Sequence, residues 1–294
     1  MLLPVAGQAP VASLIKEPQA LLEKKTVGKV AAIDARLDGV MGMAAVDLKS
    51  GRRFSYQGEL VTTQASLIKV PVLATAFQQI EAGVLKLEQK VMVTEKDKAG
   101  GDGKLDAQLG KVGVEMTLRE MLTRMIRDSD NTATNKVIGL VGMEKVNALL
   151  VGLGLKNTRL RRVMMDSAAA KRDDENTSTP EEMARLMELI YRGKVVSAGA
   201  CQEMVEMMKL VKADFRGALP AGVVSASKPG AVAGVHTEAG IVYLEGRPYV
   251  LSVMCSLAAG GENPIRDVVE VVQGHFERLA RSNRYGHRVS DPLH

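Results

Sequence analysis

Serines and lysines recur in this chain at spacings that suit acyl transfer. Ser66-Leu67-Ile68-Lys69 comes first, Ser129-Asp130-Asn131 follows, and Lys228-Pro229-Gly230 comes last. A serine hydroxyl becomes a good nucleophile only beside a base, and a leaving group must be handed a proton. Developing negative charge on the substrate oxygen needs N–H donors aimed at it. The three motifs supply each part: Ser66 as nucleophile, Lys69 as its base, Ser129 as proton relay and Lys228 as the cation beside them. The Asn131 amide suits an acylamino group, and Gly230 lets a substrate backbone approach closely. The Ala231 N–H can pair with that of Ser66 as an oxyanion hole. Asp130 reads as a brace for its loop.

Each motif alone has a plain structural reading. Ser-x-x-Lys occurs three times, at Ser13/Lys16, Ser66/Lys69 and Ser225/Lys228, and the pentapeptide Ala-Ser-Leu-Ile-Lys occurs twice. An N-cap serine with a surface lysine looks the same, Ser, Asp and Asn are common caps, and Lys-Pro-Gly suits a turn. Context separates the copies. The Ser13/Lys16 copy is followed at once by Glu17-Pro18, where a helix breaks. Ser66 leads into the apolar run Val70–Phe77, long enough for a buried helix whose N-terminal dipole favours developing negative charge. Lys69, one turn on, falls on the same face. All three motifs in one order, each at an element boundary, favour the chemical reading.

Elements that could position these groups are legible. Residues 20–38 read as a helix, and Gly42–Leu48 and Arg53–Tyr56 flank a hairpin turn at Lys49-Ser50-Gly51-Arg52. A second hairpin joins Ile241–Leu244 to Tyr249–Val253 through Glu245-Gly246-Arg247-Pro248. Thr117-Leu118-Arg119-Glu120 is a capping box, and Thr179-Pro180-Glu181-Glu182 repeats the pattern. The last helix takes Asn263 as N-cap and Pro264 as its first residue, with Val268, Val269, Val272, Phe276 and Leu279 at helical spacing. Strands at both ends with helices between predict an α+β fold in which a helical domain, 62–211, is inserted into a sheet domain built from 1–61 and 212–294. The active site then lies in the cleft between them.

Composition narrows the function. Apolar residues at 46% and charged residues at 25% describe a globular chain, neither disordered nor fibrous. No run approaches the ~18–20 apolar residues of a membrane span. A net charge of +5 is spread along the chain with few aromatics, unlike the concentrated stripe of a nucleic-acid binder. The histidines at 236, 275, 287 and 294 show no zinc-ligand spacing, so no metal or other cofactor is expected. Cys201 and Cys255 could form one disulfide, but Cys255 closes a strand-like apolar run and reads as a buried thiol. The 16 methionines fall largely on apolar helix stripes and read as core. The first seven residues do not make a complete secretory leader.

From about residue 25 to 282 the chain resembles the class A β-lactamase superfamily. The three motifs carry the likeness, with Met116–Leu122, Asp128–Asn135 and Asn176–Pro180, the last resembling the end of that family's Ω-shaped loop. The resemblance implies a five-stranded antiparallel sheet with flanking helices, an inserted all-helical domain and a serine nucleophile between them. It also implies an exported protein, periplasmic or secreted.

The chain departs from the family pattern in two places. Counting back from Pro180, the family's water-positioning glutamate falls on Val163, and no glutamate occurs between Glu144 and Glu175. Asp166 is the nearest carboxylate and the candidate for deacylation. Pro229 stands where the family has Thr or Ser, deleting a hydroxyl and a backbone donor. Ala239 lies near the place of a carboxylate-binding arginine, with His236 as a speculative substitute.

The resulting expectation is a monomeric, cofactor-free serine hydrolase of β-lactamase type, acylated at Ser66 by β-lactams, with slow deacylation. Two alternatives stand beside it: a D-alanyl-D-alanine carboxypeptidase or esterase on the same fold, and a covalent β-lactam or peptidoglycan binder that does not turn over.

Overall fold

The computed structural model describes residues 17–259 and 261–289. Ser13 and Lys16, the other Ala-Ser-Leu-Ile-Lys copy, lie outside them. Along the chain come α1 (Pro18–Asp34), β1 (Val40–Asp47), β2 (Arg53–Tyr56) and β3 (Thr62–Thr63), then a 3-10 turn, Ala65–Ile68, that runs into α2 (Lys69–Glu81). β4 (Lys90–Val93) and β5 (Val114–Thr117) form a ribbon ahead of α3 (Leu118–Arg127), α4 (Asn131–Val141) and α5 (Met143–Gly152). Next are α6 (Ser167–Ala170), β6 (Thr177–Ser178), α7 (Pro180–Tyr191), α8 (Ala198–Lys209) and α9 (Asp214–Ala218). β7 (Val224–Val232), β8 (Val235–Tyr243), β9 (Tyr249–Ser256) and α10 (Ile265–Ala280) complete the described residues.

The sheet has the strand order β2-β1-β9-β8-β7 and is antiparallel throughout. This is the expected α+β architecture, a five-stranded antiparallel sheet with helices. Both hairpins form where the turn residues place them. At the first, Asp47 accepts from the backbone of Lys49 and Ser50 and from the Ser50 hydroxyl, while Gly51 takes a positive φ of 78°.

Both faces of the sheet are covered, so its strands read as near-continuous apolar runs rather than alternating ones. On one face Met41, Met43, Ala45, Leu251 and Val253 pack with Val30, Val268, Val272 and Phe276 of α1 and α10. On the other, Ala44, Val46, Val250 and Met254 join the core of α2, α7 and α8. Burying each large apolar side chain contributes ~1.5–3 kcal/mol. Gly42 matters to this packing: a Cβ there would lie 2.8 Å from Pro180 Cγ and 2.6 Å from Gln57 O, so only glycine admits α7. Tyr249 stacks on Phe276 at 4.2 Å and donates to Gln273 Oε1 at 2.8 Å, so its hydroxyl is satisfied inside the core.

Two expected caps differ in detail. Thr117 and Glu120 form the reciprocal capping box, but the Thr179 motif is only half of one. Thr179 accepts from Glu182 N, while the Glu182 carboxylate turns to the Asn157 and Thr158 N–H groups. Those loop donors are otherwise unpaired, so they outcompete the cap. At α10 the helix starts one residue late: Pro264 is the cap position, and Asn263 Oδ1 accepts from Ile265 N at 3.1 Å.

Candidate active site

α2 is the buried axis of the helical region, with Lys69 through Phe77 all inaccessible to solvent. Ser66 sits one turn before it, on the 3-10 turn rather than on the α-helix itself. The residue before it, Ala65, has φ 47°, a left-handed conformation at the entrance to the turn. Ser66 is 7% exposed and Lys69 fully buried, so the serine keeps slight solvent access while the lysine has none.

Lys69 Nζ lies 3.0 Å from Ser66 Oγ and 3.0 Å from Ser129 Oγ. It also donates to Asn131 Oδ1 at 2.9 Å and to the Ser129 carbonyl. Ser129 follows α3 with φ 54°, a conformation strained for a residue with a side chain. Asp130 then caps α4: Oδ1 accepts from Ala133 N at 2.9 Å, and Oδ2 accepts from Lys104 N and Leu105 N at 2.9 and 2.8 Å. The brace reading of Asp130 matches these contacts. Asn131 is held from the other side by the glycine-rich loop: its N–H donates to Asp102 O at 3.0 Å and its Nδ2 to Gly100 O at 3.1 Å.

β7 closes the third side as an edge strand of the sheet. Lys228, fully buried, donates to Ser129 Oγ at 3.0 Å and to Pro229 O at 2.9 Å. A proline fits a ladder only with its nitrogen turned from the neighbouring strand, and here that side faces the cleft. Residues two apart on a strand orient alike, so the Ala231 N–H turns the same way. Gly230 lets β7 meet the 3-10 turn. A Cβ there would lie 2.8 Å from both Ser66 N and Gln64 O.

The electrostatics follow from this burial. The Lys69 ammonium is held well below the usual lysine range, first by desolvation and then by the Lys228 charge, against a pull from Asp102 and Asp130. Lys228 is lowered to about 8, again first by burial, with Glu238 and Asp102 opposing. The site therefore holds two lysines that give up protons more readily than free ones.

Residues 25–273 match the model of the β-lactamase enzyme family. The chain belongs to that family. It is similar to the β-lactamase L2 of Stenotrophomonas maltophilia, with 28% identity over 60% of this chain, and spans only 58% of that relative's length. Among solved structures it is similar to a β-lactamase from Sphaerobacter thermophilus (TM-score 0.79, 26% identity, 87% of this chain and 97% of that one). It is equally similar to a PBP-A variant in an acyl-enzyme complex with penicillin G (TM-score 0.78, 26% identity, 87% and 96%).

Against that family pattern, the departures seen in the sequence acquire positions. Ala239 is the register partner of Lys228 and is fully buried, so no side chain there reaches toward a substrate carboxylate. His236 pairs with Ala231 and Cys255 in the sheet. Asp166 caps the one-turn α6, accepting from Ala169 N at 2.9 Å, and makes no hydrogen bond to Ser66, Lys69, Ser129 or Asn131. In the same segment Asn135 binds the backbone of Met164, one residue beyond Val163. Asn135 lay within a recognisable stretch, but nothing local marked its partner. Glu238 gave no sequence signal, because an isolated glutamate in a strand looks like a solvated residue. Cys201 and Cys255 are both buried, free thiols, and burial pushes the Cys255 thiol up to about 11. No helix among the described residues is long and apolar enough to cross a membrane.

Proposed function

We propose that Ser66 opens the β-lactam ring by forming an acyl-enzyme, with the cleft between the sheet and the helical region as the active site. The carrying observation is the placement of Lys69 Nζ at 3.0 Å from both Ser66 Oγ and Ser129 Oγ. In its neutral form Lys69 gives two N–H bonds to Asn131 Oδ1 and the Ser129 carbonyl, leaving its lone pair for the Ser66 proton. Ser66 Oγ then attacks the lactam carbonyl carbon, and the N–H groups of Ser66 and Ala231 receive the oxyanion. As the lactam C–N bond breaks, Ser129 passes its proton to the nitrogen and is reprotonated from Lys69. Lys228 fixes the Ser129 oxygen and attracts anionic substrates. Asn131 Nδ2 presents a donor to the acylamino carbonyl.

Release of the acyl group is the slow half of this cycle. Among the described residues no carboxylate hydrogen-bonds to Ser66, Lys69 or Ser129, so the attacking water lacks a dedicated carboxylate base. Asp166 could serve only if its loop moved off the α6 cap. This vacancy also supports a second reading, a D-alanyl-D-alanine peptidase or related esterase at the same Ser66. We infer export from the family resemblance; fractionation of the producing cell checks it.

Intact-protein mass spectrometry over time, after mixing with a penicillin and with a chromogenic cephalosporin, tests the reading. An adduct on Ser66 that clears as substrate is consumed supports a β-lactamase. An adduct that persists points to a non-turnover binder or, with faster turnover of D-Ala-D-Ala peptides, to the peptidase. No adduct with either compound refutes the proposal.

A further inference from the structure

A fully buried carboxylate lies behind the catalytic strand and takes no part in the steps above. Glu238 of β8 is the register partner of Pro229, next to Lys228, and both Glu238 and Lys228 are 0% exposed. Side chains alternate along a strand, so Glu238 shares a face with Ser227 and Pro229, while Lys228 projects from the opposite face into the cleft. Its Oε1 accepts from Ser227 Oγ at 2.6 Å, and its Oε2 accepts from Phe215 N at 3.2 Å. A buried ion of this kind is costly unless it is paired and hydrogen-bonded. Lys228 has the complementary deficit: it bonds only to a hydroxyl and a carbonyl, and forms no ion pair among the described residues.

Resting on the reading of Lys228 as part of the acyl-transfer site, we infer that Glu238 is the counter-charge of Lys228. It is a positioning residue that acts through one thickness of sheet to keep that lysine an ammonium during acylation. Both side chains are fully buried, so their attraction is only weakly screened.

The other groups around the pair do not replace this partner. On α9, Asp214 faces Glu238 with like charge, but it is engaged by Arg266 Nε at 2.9 Å and by Asn263 Nδ2 at 2.8 Å. From β9 the neighbour is the apolar Val253. On the cleft side Lys228 meets Lys69, which repels it, and the exposed Asp102, which attracts it. Glu238 is the largest influence holding the Lys228 proton, and Lys228 in turn lowers Glu238, whose carboxyl burial pushes up to about 7.

The test is the pH dependence of the acylation rate in wild type, Glu238→Gln, Glu238→Asp and Ser227→Ala, with circular dichroism to verify folding. Glutamine keeps the shape and removes the charge; its oxygen can accept from Phe215 N while its NH2 donates to Ser227 Oγ, reversing that bond. In Glu238→Gln the alkaline limb should move down by roughly half a unit to one unit, giving a ~3–8-fold loss at pH 8.5 and little change at pH 6. Aspartate should restore part of the shift, and Ser227→Ala, which removes a hydrogen bond that favours the ionised Glu238, should move the limb the same way by less. A uniform loss at every pH, or an unmoved limb, would mean that Glu238 only ties α9 to the sheet, and the inference fails. NMR of 13C-labelled lysine reads the Lys228 titration independently of turnover. An unchanged Lys228 titration in Glu238→Gln overturns the inference even if acylation is intact. Absence of acylation in wild type instead removes the acyl-transfer reading on which the inference rests, and the inference with it.

Discussion

Asn135 grips Met164 with both ends of its amide: Oδ1 accepts from Met164 N at 2.7 Å and Nδ2 donates to Met164 O at 3.0 Å. Asn135 lies one helical turn after Asn131 on α4, so the two share a face. The 161–165 segment is thereby hung from the same helix face that carries Asn131 into the cleft. Met164 itself is buried and offers no base.

That grip selects the place to restore a carboxylate. Met164→Glu should shorten the lifetime of the Ser66 adduct by about 100-fold or more, on the order of one general base's contribution. Time-resolved mass spectrometry after a penicillin pulse measures it. An unchanged lifetime, with the Asn135 bonds retained in a crystal structure of the variant, would show that the segment does not face the acyl group.

Acylation should have a bell-shaped pH profile. Lys69 must be neutral to take the Ser66 proton, and its depressed pKa makes that form available at lower pH than for a free lysine. Lys228 must stay charged, so the rate should fall as pH rises through its pKa of about 8. The limbs belong to the coupled pair rather than to either lysine. Stopped-flow acylation from pH 5 to 10 reads both limbs, and a rate still climbing at pH 10 contradicts the assignment of Lys228.

Ser66→Ala should abolish the adduct, whereas Ser13→Ala should leave its formation unchanged. Equal loss in both variants would sink the choice between the two Ala-Ser-Leu-Ile-Lys copies. Intact mass after incubation with a penicillin decides the matter.

Pro229→Thr returns an N–H to the free edge of β7 and restores the hydroxyl found at this position in the family. Capture of carboxylate-bearing β-lactams should rise by about tenfold, the worth of one hydrogen bond to a charged group. The acylation rate at low substrate is the readout, and an unaltered value would mean that Pro229 is not beside the substrate carboxylate.

Away from the cleft, His275 is 1% exposed, with its Nδ1 2.9 Å from Thr26 Oγ1. Burial lowers its pKa from 6.5 to about 4. The unfolded chain therefore binds this proton first, so the contribution is fully present above pH ~6.5 and is lost as pH falls toward 4. The loss by pH 4.5 should be about 2–3 kcal/mol. Glu238, with its raised pKa, works in the opposite direction, so the quantity to compare is the pH difference in urea stability between wild type and His275→Gln. If both lose stability equally between pH 7.5 and 4.5, His275 is not the cause.

Local features were legible from the chain alone. Turn residues located both hairpins, caps located α3, α7 and α10 to within a residue, and the order of the three motifs pointed to a serine hydrolase. These signals are carried by neighbours in the chain, since caps, turns and side-chain periodicity act over a few residues. How those pieces meet depends on contacts between residues distant in the chain. Lys69 reaches Ser129 across 60 positions and Lys228 reaches Ser129 across 99, while Asn135 finds Met164 and Glu238 comes to lie behind Lys228. Such contacts, and the desolvation that depresses both lysines, arise only when the sheet and the helices close on one another. A side chain's charge state depends on its surroundings in space, which are set by the whole fold.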